Sequence, residues 1–445
     1  MDDERAAGTP AKRGPRRGVW IAGAAALAVV AGGVTYGVAG RDESPKITAE
    51  TSVTPSATGP VVSADELAEQ KMIAGIDAAL KGRAAALQSG TLAQFLSYSD
   101  PKNAKLLQRD RQVFANLRLI GAKHVSYLRQ LSFSPELRPK LGANARAVRI
   151  KMQTQLTGID PAPRLTQVGF TLAERGGRWL VVDDDDAEAG DRGPAREPWE
   201  LGPIEVSRGR GVLVISSPGE EKNGRRLVQE AVAAVPAVQA VTKRAQAGIL
   251  VVAMAAPRSW AGLMTGGHPA GAVALRNVTL TNADGTEFKV TGSRIVINPT
   301  ERKTADRFLL AHEFTHAAMA PLGDGAPTWL VEGSAEYVAY RLLDQSNYSN
   351  YVADERRAYR KAVKALAVLP IDGVFHGDYD ENSYGVAWLI VEYIADKYGL
   401  ATLNALYAET AAQTDDPVLR DKAIHKQLKL TDPALVAAVK QYRGA

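Results

Sequence analysis

The segment Glu301–Ala320, ERKTADRFLLAHEFTHAAMA, contains the five residues that decide the fold, His312-Glu313-Phe314-Thr315-His316. Its apolar residues recur at helical spacing, which predicts an α-helix. The two histidines are four positions apart, so on a helix they project from one face about one turn apart. Two imidazoles placed in this way can bind one zinc ion, and Glu313 lies close enough to hold a water molecule at the metal. The structural alternative is a pair of histidines that only make core contacts.

A second segment, Pro327–Tyr337 (PTWLVEGSAEY), predicts another helix after a Gly/Pro-rich loop. Glu332 lies 16 positions after His316, and a helix–loop–helix of that length can return a carboxylate to the two histidines. Zinc would then have His312, His316 and Glu332 as ligands and an open fourth position.

Glu336 lies four residues after Glu332 and therefore on the same helical face. It can accept a hydrogen bond from the outer nitrogen of a ligating histidine and fix its tautomer, and we assign it to His312. The alternative is an amphipathic helix with two solvated glutamates. Gly333 weakens a helix interior, which a helix with a purely structural role would not require.

Composition narrows the possible chemistry. The 445 residues include six histidines and no cysteine, which excludes disulfides, thiolate nucleophiles, zinc fingers and iron–sulfur clusters. Any metal site must therefore use histidines and carboxylates. The net charge of +5 is small for this length, so nothing in it demands a nucleic-acid partner.

Residues 19–39 form an uncharged run of 21 residues, long enough to cross a bilayer as one helix. Lys12, Arg13, Arg16 and Arg17 precede it, which predicts a cytoplasmic tail over 1–18, a single-pass anchor over 19–39 and an extracytoplasmic body. A cleaved signal peptide and a secreted body are the alternative. The Ser/Thr/Pro-rich residues 40–63 are typical of a flexible tether.

Residues 64–200 show two helical patterns followed by alternating, strand-like stretches. Gly176-Gly177 between two of these stretches indicates a hairpin. The order of elements and the phrase GGRWLVVDDDD resemble the NTF2-like fold, which implies helices against a curved antiparallel sheet.

Residues 201–445 combine strand-like runs, two motif helices and a helical C-terminal part. HEFTH with WLVEGSAEY resembles the gluzincins, the zinc metallopeptidases related to thermolysin and aminopeptidase N. The resemblance implies a zinc-dependent peptidase with Glu313 as general base. It also implies that Arg294–Asn298 is a strand beside the cleft, along which a peptide could align by main-chain hydrogen bonds.

Two further features bear on the reaction. No GxMEN-like segment is present to hold a substrate's amino terminus, which favours an endopeptidase or an enzyme of unusually narrow specificity. Tyr384, in ENSYGVAWLIVEYIADKYG, resembles the tyrosine that stabilises the oxyanion in related proteins, and His376 and Tyr379 are its competitors.

Together these patterns predict an α+β protein. Its parts are an N-terminal transmembrane helix, an NTF2-like α+β domain over 64–200 and a zincin-like metallopeptidase domain over 201–445 with a mixed sheet and a helical C-terminal part.

The predicted function is an exported, membrane-tethered zinc metallopeptidase acting on a peptide or protein substrate. The alternative is a non-catalytic binding or sensor protein of the cell envelope that keeps the scaffold. No oligomeric state is predicted.

Overall fold

The structure is a computed structural model. It describes residues 63–133, 144–184, 196–244, 248–255, 271–283, 285–376, 381–413 and 416–442. The predicted tail over 1–18, the segment 19–39 and nearly all of the predicted tether lie outside these residues.

The N-terminal part is a four-stranded antiparallel sheet with helices beside it. The helices are α1 (Ala64–Ser89), α2 (Leu92–Leu96) and α3 (Ala104–Ile120). The strands, in sheet order, are β1 (Ala122–Phe133), β2 (Ala145–Leu156), β3 (Arg164–Arg175) and β4 (Arg178–Asp183). Gly176 and Gly177 have φ of 58° and 78° and form the turn between β3 and β4, as the hairpin signal predicted.

The central part is a mixed five-stranded sheet in the order β5-β6-β7-β9-β8. Its strands are β5 (Glu205–Gly209), β6 (Val212–Ser216), β7 (Ile249–Ala253), β8 (Ala272–Leu280) and β9 (Phe288–Ile297). The neighbours β6, β7 and β9 run parallel, whereas β5 and β8 pair antiparallel at the two edges. Helices α4 (Pro198–Leu201) and α5 (Glu221–Thr242) accompany the sheet.

The remaining chain is helical. Its helices are α6 (Arg307–Met319), α7 (Thr328–Leu343), α8 (Ser349–Ala365), α9 (Gly373–His376), α10 (Glu381–Ala411), α11 (Pro417–Leu428) and α12 (Asp432–Gln441). A 3₁₀ turn, Ala320–Leu322, follows α6, and a π turn, Asp344–Tyr348, follows α7. The long helix α10 bends at Gly399, where φ is 84°.

The mixed sheet is covered on both faces, which explains why every residue of β6 and β7 is buried. Val212 and Val214 of β6 pack in the same core as α5 and α6. Leu213 and Ile215, which point to the opposite face, share a core with residues of the N-terminal part. The two parts therefore share one apolar layer, and the domain boundary near residue 200 stays a prediction.

The α+β architecture with a mixed sheet and a helical C-terminal part agrees with the sequence, but the inclusion of a transmembrane helix in the fold class is wrong. Within the described ranges, no helix is both long enough and apolar enough to cross a bilayer. The long helices α1 and α10 carry acidic and basic side chains along their length, which a membrane interior would not tolerate. The extracytoplasmic location of the body stays a prediction.

The expected substrate strand is also corrected. Arg294–Ile297 belongs to β9, which pairs with β7 on one side and β8 on the other. Both edges of β9 are therefore occupied where it lies beside the cleft. Within the described residues, the outer edge of β8 has no second strand, so β8 is the strand that an extended peptide could join.

Candidate metal centre

Helix α6 presents the two histidines to one point. Asp306 caps the helix, since its side chain accepts hydrogen bonds from the backbone N–H groups of Phe308 and Leu309, both at 3.1 Å. One turn apart on the inner face, His312 and His316 bring their Nε2 atoms to 3.0 Å of each other. Two ring nitrogens at this distance direct their lone pairs to a common point when both imidazoles are neutral.

Helix α7 brings Glu332 to the same point. Its N-cap residue is Pro327, whose side chain offers no hydrogen bond, and Asp372 supplies the missing acceptor from a distant loop. The Oδ1 atom of Asp372 lies 2.8 Å from the backbone nitrogen of Thr328. Glu332 is fully buried, and its Oε2 atom lies 3.4 Å from Nε2 of both His312 and His316.

These three atoms fit a zinc ion. In a tetrahedral zinc site, ligands at the usual bond lengths lie about 3.3–3.4 Å from one another. The three ligand-to-ligand distances are 3.0, 3.4 and 3.4 Å. They are the one group of three or more potential metal-binding side chains found among the described residues.

A second observation supports the fit. Both carboxylate oxygens of Glu313 are buried and accept no hydrogen bond from any described residue. Burying unpaired polar atoms is costly, and a water molecule or a cation would satisfy them. Glu313 lies next to His312 in the chain and is fully buried.

Burial and neighbouring charges shift the pKa values of the glutamates and of His312 in the cluster. Burial raises the pKa of Glu313 to about 7, although the neighbouring histidines oppose the shift. Burial would also raise the pKa of Glu332, but His316 and His312 lower it to about 2. The pKa of His312 lies well above its usual value, since hydrogen bonds to Glu332 and Glu336 outweigh its burial. The cluster thus combines an ionised carboxylate with a neighbouring carboxyl that holds its proton more tightly.

Glu336 lies beside His312, the histidine to which the sequence analysis assigned it. Its Oε1 atom is 3.3 Å from Nδ1 of His312. When the imidazole is neutral, an Nδ1–H group donated to this carboxylate leaves Nε2 as the nitrogen that can bind a metal ion. Gly333 has a packing role that the sequence did not show: a Cβ atom there would lie 2.4 Å from the carbonyl oxygen of Ala387 on α10.

Tyr384 lies near the start of α10, one turn before Ala387, so this end of α10 approaches the helix that carries Glu332. Its ring is buried and packs edge-on against Phe375, with ring centroids 5.4 Å apart. Its role at the oxyanion stays a prediction. Of its two competitors, His376 ends α9, and Tyr379 lies outside the described residues.

Sequence reasoning missed the pocket beside the two ligands. It is lined by Ala274, Arg276, Ser293, His316, Ala320, Gly323, Asp324, Val331, Glu332 and Tyr407. Arg276 of β8 and Asp324 of the loop after α6 form an ion pair in it. Burial raises the pKa of the Tyr407 hydroxyl, and the charge of Glu332 raises it further, so this group stays a hydrogen-bond donor. No local pattern marks these residues, because strands and helices far apart in the chain bring them together.

One known protein family matches the part of the chain that contains the site. A protein-family model, Peptidase_M78, IrrE N-terminal-like domain, matches residues 270–361, the span from β8 to α8 that contains the cluster. No curated protein matches the chain.

The fold can also be compared with solved structures. Yeast LTA4 hydrolase is 9% identical, with a TM-score of 0.36, over 71% of this chain and 58% of that one. An M1 zinc metallopeptidase from Deinococcus radiodurans is 13% identical, with a TM-score of 0.33, over 72% of this chain and 61% of that one. The chain thus spans about three fifths of the length of these proteins.

The zinc-metallopeptidase likeness is confirmed at this broad level, whereas the NTF2-like and thermolysin-like details stay predictions. Residues 270–361 thus match a peptidase family model and contain three side chains whose ligand atoms converge on a possible metal site.

Proposed function

We propose that this protein is a zinc-dependent hydrolase that cleaves peptide bonds within a chain. The observation that carries the proposal is the triangle of His312, His316 and Glu332 atoms, with Glu313 buried beside it and neither of its oxygens hydrogen-bonded to any described residue. A scaffold kept only for packing would gain nothing from burying these carboxylates, since unpaired buried oxygens destabilise the fold.

We assign each side chain of the site one role in this reaction. His312, His316 and Glu332 hold the ion, and Glu336 orients His312. Zinc, when bound in such a site, polarises a carbonyl and acidifies water. Glu313 takes the proton of the attacking water and delivers it to the departing nitrogen. Tyr384 donates a hydrogen bond to the oxygen that becomes negative in the transition state.

The substrate lies extended along β8. No further strand among the described residues pairs with the outer edge of β8, and Ala274 and Arg276 of β8 line the pocket beside the cluster. The strand sequence, AVALRNVTL, contains no acidic residue to bind a free amino terminus, which supports cleavage within a chain.

The decisive experiment measures zinc content and hydrolysis of a mixed peptide library by the purified protein. We expect one zinc ion per chain and cleavage at internal bonds. Glu313→Gln should keep the zinc and lose turnover, whereas His312→Ala, His316→Ala or Glu332→Ala should lose the zinc.

Three outcomes would count against the proposal. A wild-type protein without zinc would refute the ligand set. A protein that binds zinc but is as inert as Glu313→Gln would be a non-catalytic scaffold. Removal of single residues from peptide ends would refute the endopeptidase assignment.

A further inference from the structure

The pocket beside the candidate metal ligands contains one strong positive charge. His316 and Glu332 form part of its wall, so a molecule in the pocket lies directly against the cluster. Among the lining residues, Arg276 is the only arginine or lysine. Its position on β8 places it on the strand along which we propose that the substrate lies.

Asp324 holds Arg276 in place through an ion pair. The closest contact in this pair joins Nη1 of Arg276 to Oδ2 of Asp324. The flanking residues Gly323 and Gly325 press the Asp324 loop against the end of α10, because Cβ atoms there would lie 2.2 Å from the carbonyl oxygen of Ala411 and 1.9 Å from that of Gln413. The loop therefore has a fixed position, and Asp324 acts as a positioning residue.

The pair is unequally exposed to water. The side chain of Arg276 is 25% exposed, and that of Asp324 is 56% exposed. Water screens the more exposed carboxylate of Asp324 more than the guanidinium, so an anion within the pocket is attracted to Arg276 more strongly than it is repelled by Asp324. The negative charge of Glu332, which also lines the pocket, is offset by the ion that we propose it binds. A guanidinium has five N–H donors, and those not used by Asp324 can bind a second carboxylate side-on.

We infer that Arg276, positioned by Asp324, makes the site select peptides that carry a carboxylate next to the scissile bond. The inference rests on the proposed peptidase function and names its substrate class. The carboxylate can belong to an acidic side chain or to the C-terminus of the peptide, and a preference for the C-terminus would overturn the endopeptidase assignment but not this inference. Both present the same planar pair of oxygens to the guanidinium, and the test below separates them.

The kinetic test uses four peptides of one sequence. They combine Glu or Gln beside the scissile bond with a free or amidated C-terminus. The wild-type protein should cleave the peptides that carry one of these two carboxylates roughly 10–100-fold better in kcat/KM than the peptides that lack it, as expected for a charge-assisted hydrogen bond in a partly buried site. The preference shows whether the Glu side chain or the C-terminus supplies the carboxylate.

Substitutions then assign the preference to Arg276. Arg276→Gln should reduce it to within about twofold, and Arg276→Lys should leave an intermediate preference because it keeps the charge without the planar fork. Arg360→Gln is the matched control: Arg360 lies on α8, outside this pocket, and should keep the full preference. Zinc content and Tm of each variant show that the fold is retained.

A binding measurement separates this inference from the peptidase proposal. The zinc-loaded Glu313→Gln protein, titrated calorimetrically with the same four peptides, should show the same carboxylate preference. A protein that cleaves none of the peptides but shows this binding preference would refute the proposed function and support the inference. Equal binding of carboxylate and amide peptides, or a preference that survives Arg276→Gln, would overturn the inference.

Discussion

At the scale of the residue, the chemistry of the site depends on carboxylates in three different environments. Glu332 faces two imidazoles and stays ionised, with a pKa of about 2. Glu313 is buried, its carboxylate accepts no hydrogen bond from the part of the chain that the structure describes, and its pKa rises to about 7. Glu336 contacts the outer nitrogen of His312. In the proposed mechanism, one residue type thus serves as ligand, base and orienting group according to its neighbours.

The contact between Glu336 and His312 gives the first prediction. Glu336→Ala should weaken zinc binding about 10–100-fold, because His312 loses the acceptor that fixes its tautomer and ring orientation. Competition with a chelator measures the affinity. Glu392→Gln is the control, since Glu392 is also buried but pairs with Arg356 instead. Equal zinc affinities for the two variants would contradict an orienting role for Glu336.

Glu200 gives a pH-dependent prediction in the N-terminal part. Burial raises its pKa from 4.5 to about 7, and the charge of Glu197 adds to the shift. Between these two values the folded chain binds more protons than the unfolded chain, so the free energy of unfolding falls as pH rises. Glu200→Gln removes this loss and should stabilise the protein by about 1–3 kcal/mol at pH 8, but not at pH 4.

Denaturant unfolding at both pH values tests this expectation. Glutamine keeps an oxygen that can accept the bond from the Glu197 backbone nitrogen, which lies 2.8 Å from Oε2 of Glu200. Glu174→Gln, at an exposed position on β3, should have no effect at either pH. A stabilisation of equal size at pH 4 and pH 8 would show that the carboxyl of Glu200 is not the cause.

At the scale of the element, the position of Glu332 depends on how closely α7 and α10 approach. Gly333 permits this approach, since any side chain there would meet the backbone of Ala387 and the side chain of Val391. The sequence suggested that a structural helix had no need of this glycine, and that interpretation is wrong. A glycine that is unfavourable for a single helix is favourable for the packing of two.

Gly333→Ala should therefore destabilise the protein by about 1–3 kcal/mol and weaken zinc binding as α7 shifts. Thermal unfolding and zinc affinity measure the two effects. Gly373→Ala is the matched control, because a Cβ atom at Gly373 would meet nothing within 4 Å. An unchanged Tm for Gly333→Ala would mean that α7 and α10 are not in close contact.

At the scale of the whole molecule, the mixed sheet joins the N-terminal part to the helices that carry the site. Alternate residues of β6 and β7 belong to two different cores, one with α5 and α6 and the other with the N-terminal part. A buried carboxylate also crosses this junction: Glu197 lies 3.8 Å from Arg164 of β3 and 3.4 Å from Arg294 of β9. We therefore expect the parts to depend on each other for stability.

A fragment comprising residues 202–445 tests this dependence. It would expose Leu213, Ile215, Leu250 and Val252, which are almost completely buried in the full chain. We expect the fragment to aggregate or to bind a hydrophobic dye, whereas residues 63–445 should unfold in one cooperative transition. A soluble fragment with the Tm and zinc content of the longer chain would show that the two parts are independent.

The sequence by itself determined that His312 and His316 share one face of a helix, that Glu336 follows Glu332 by one turn, and that the chain combines helices with strands. These features follow from the periodicity of helices and strands, which depends on neighbouring residues alone. The tertiary structure decided that β8 and not β9 has an edge unpaired by any described strand, that Asp372 caps α7, and that Arg276, Asp324 and Tyr407 meet beside the candidate ligands. These features depend on strand order and on the packing of distant segments, which no local pattern in the chain encodes.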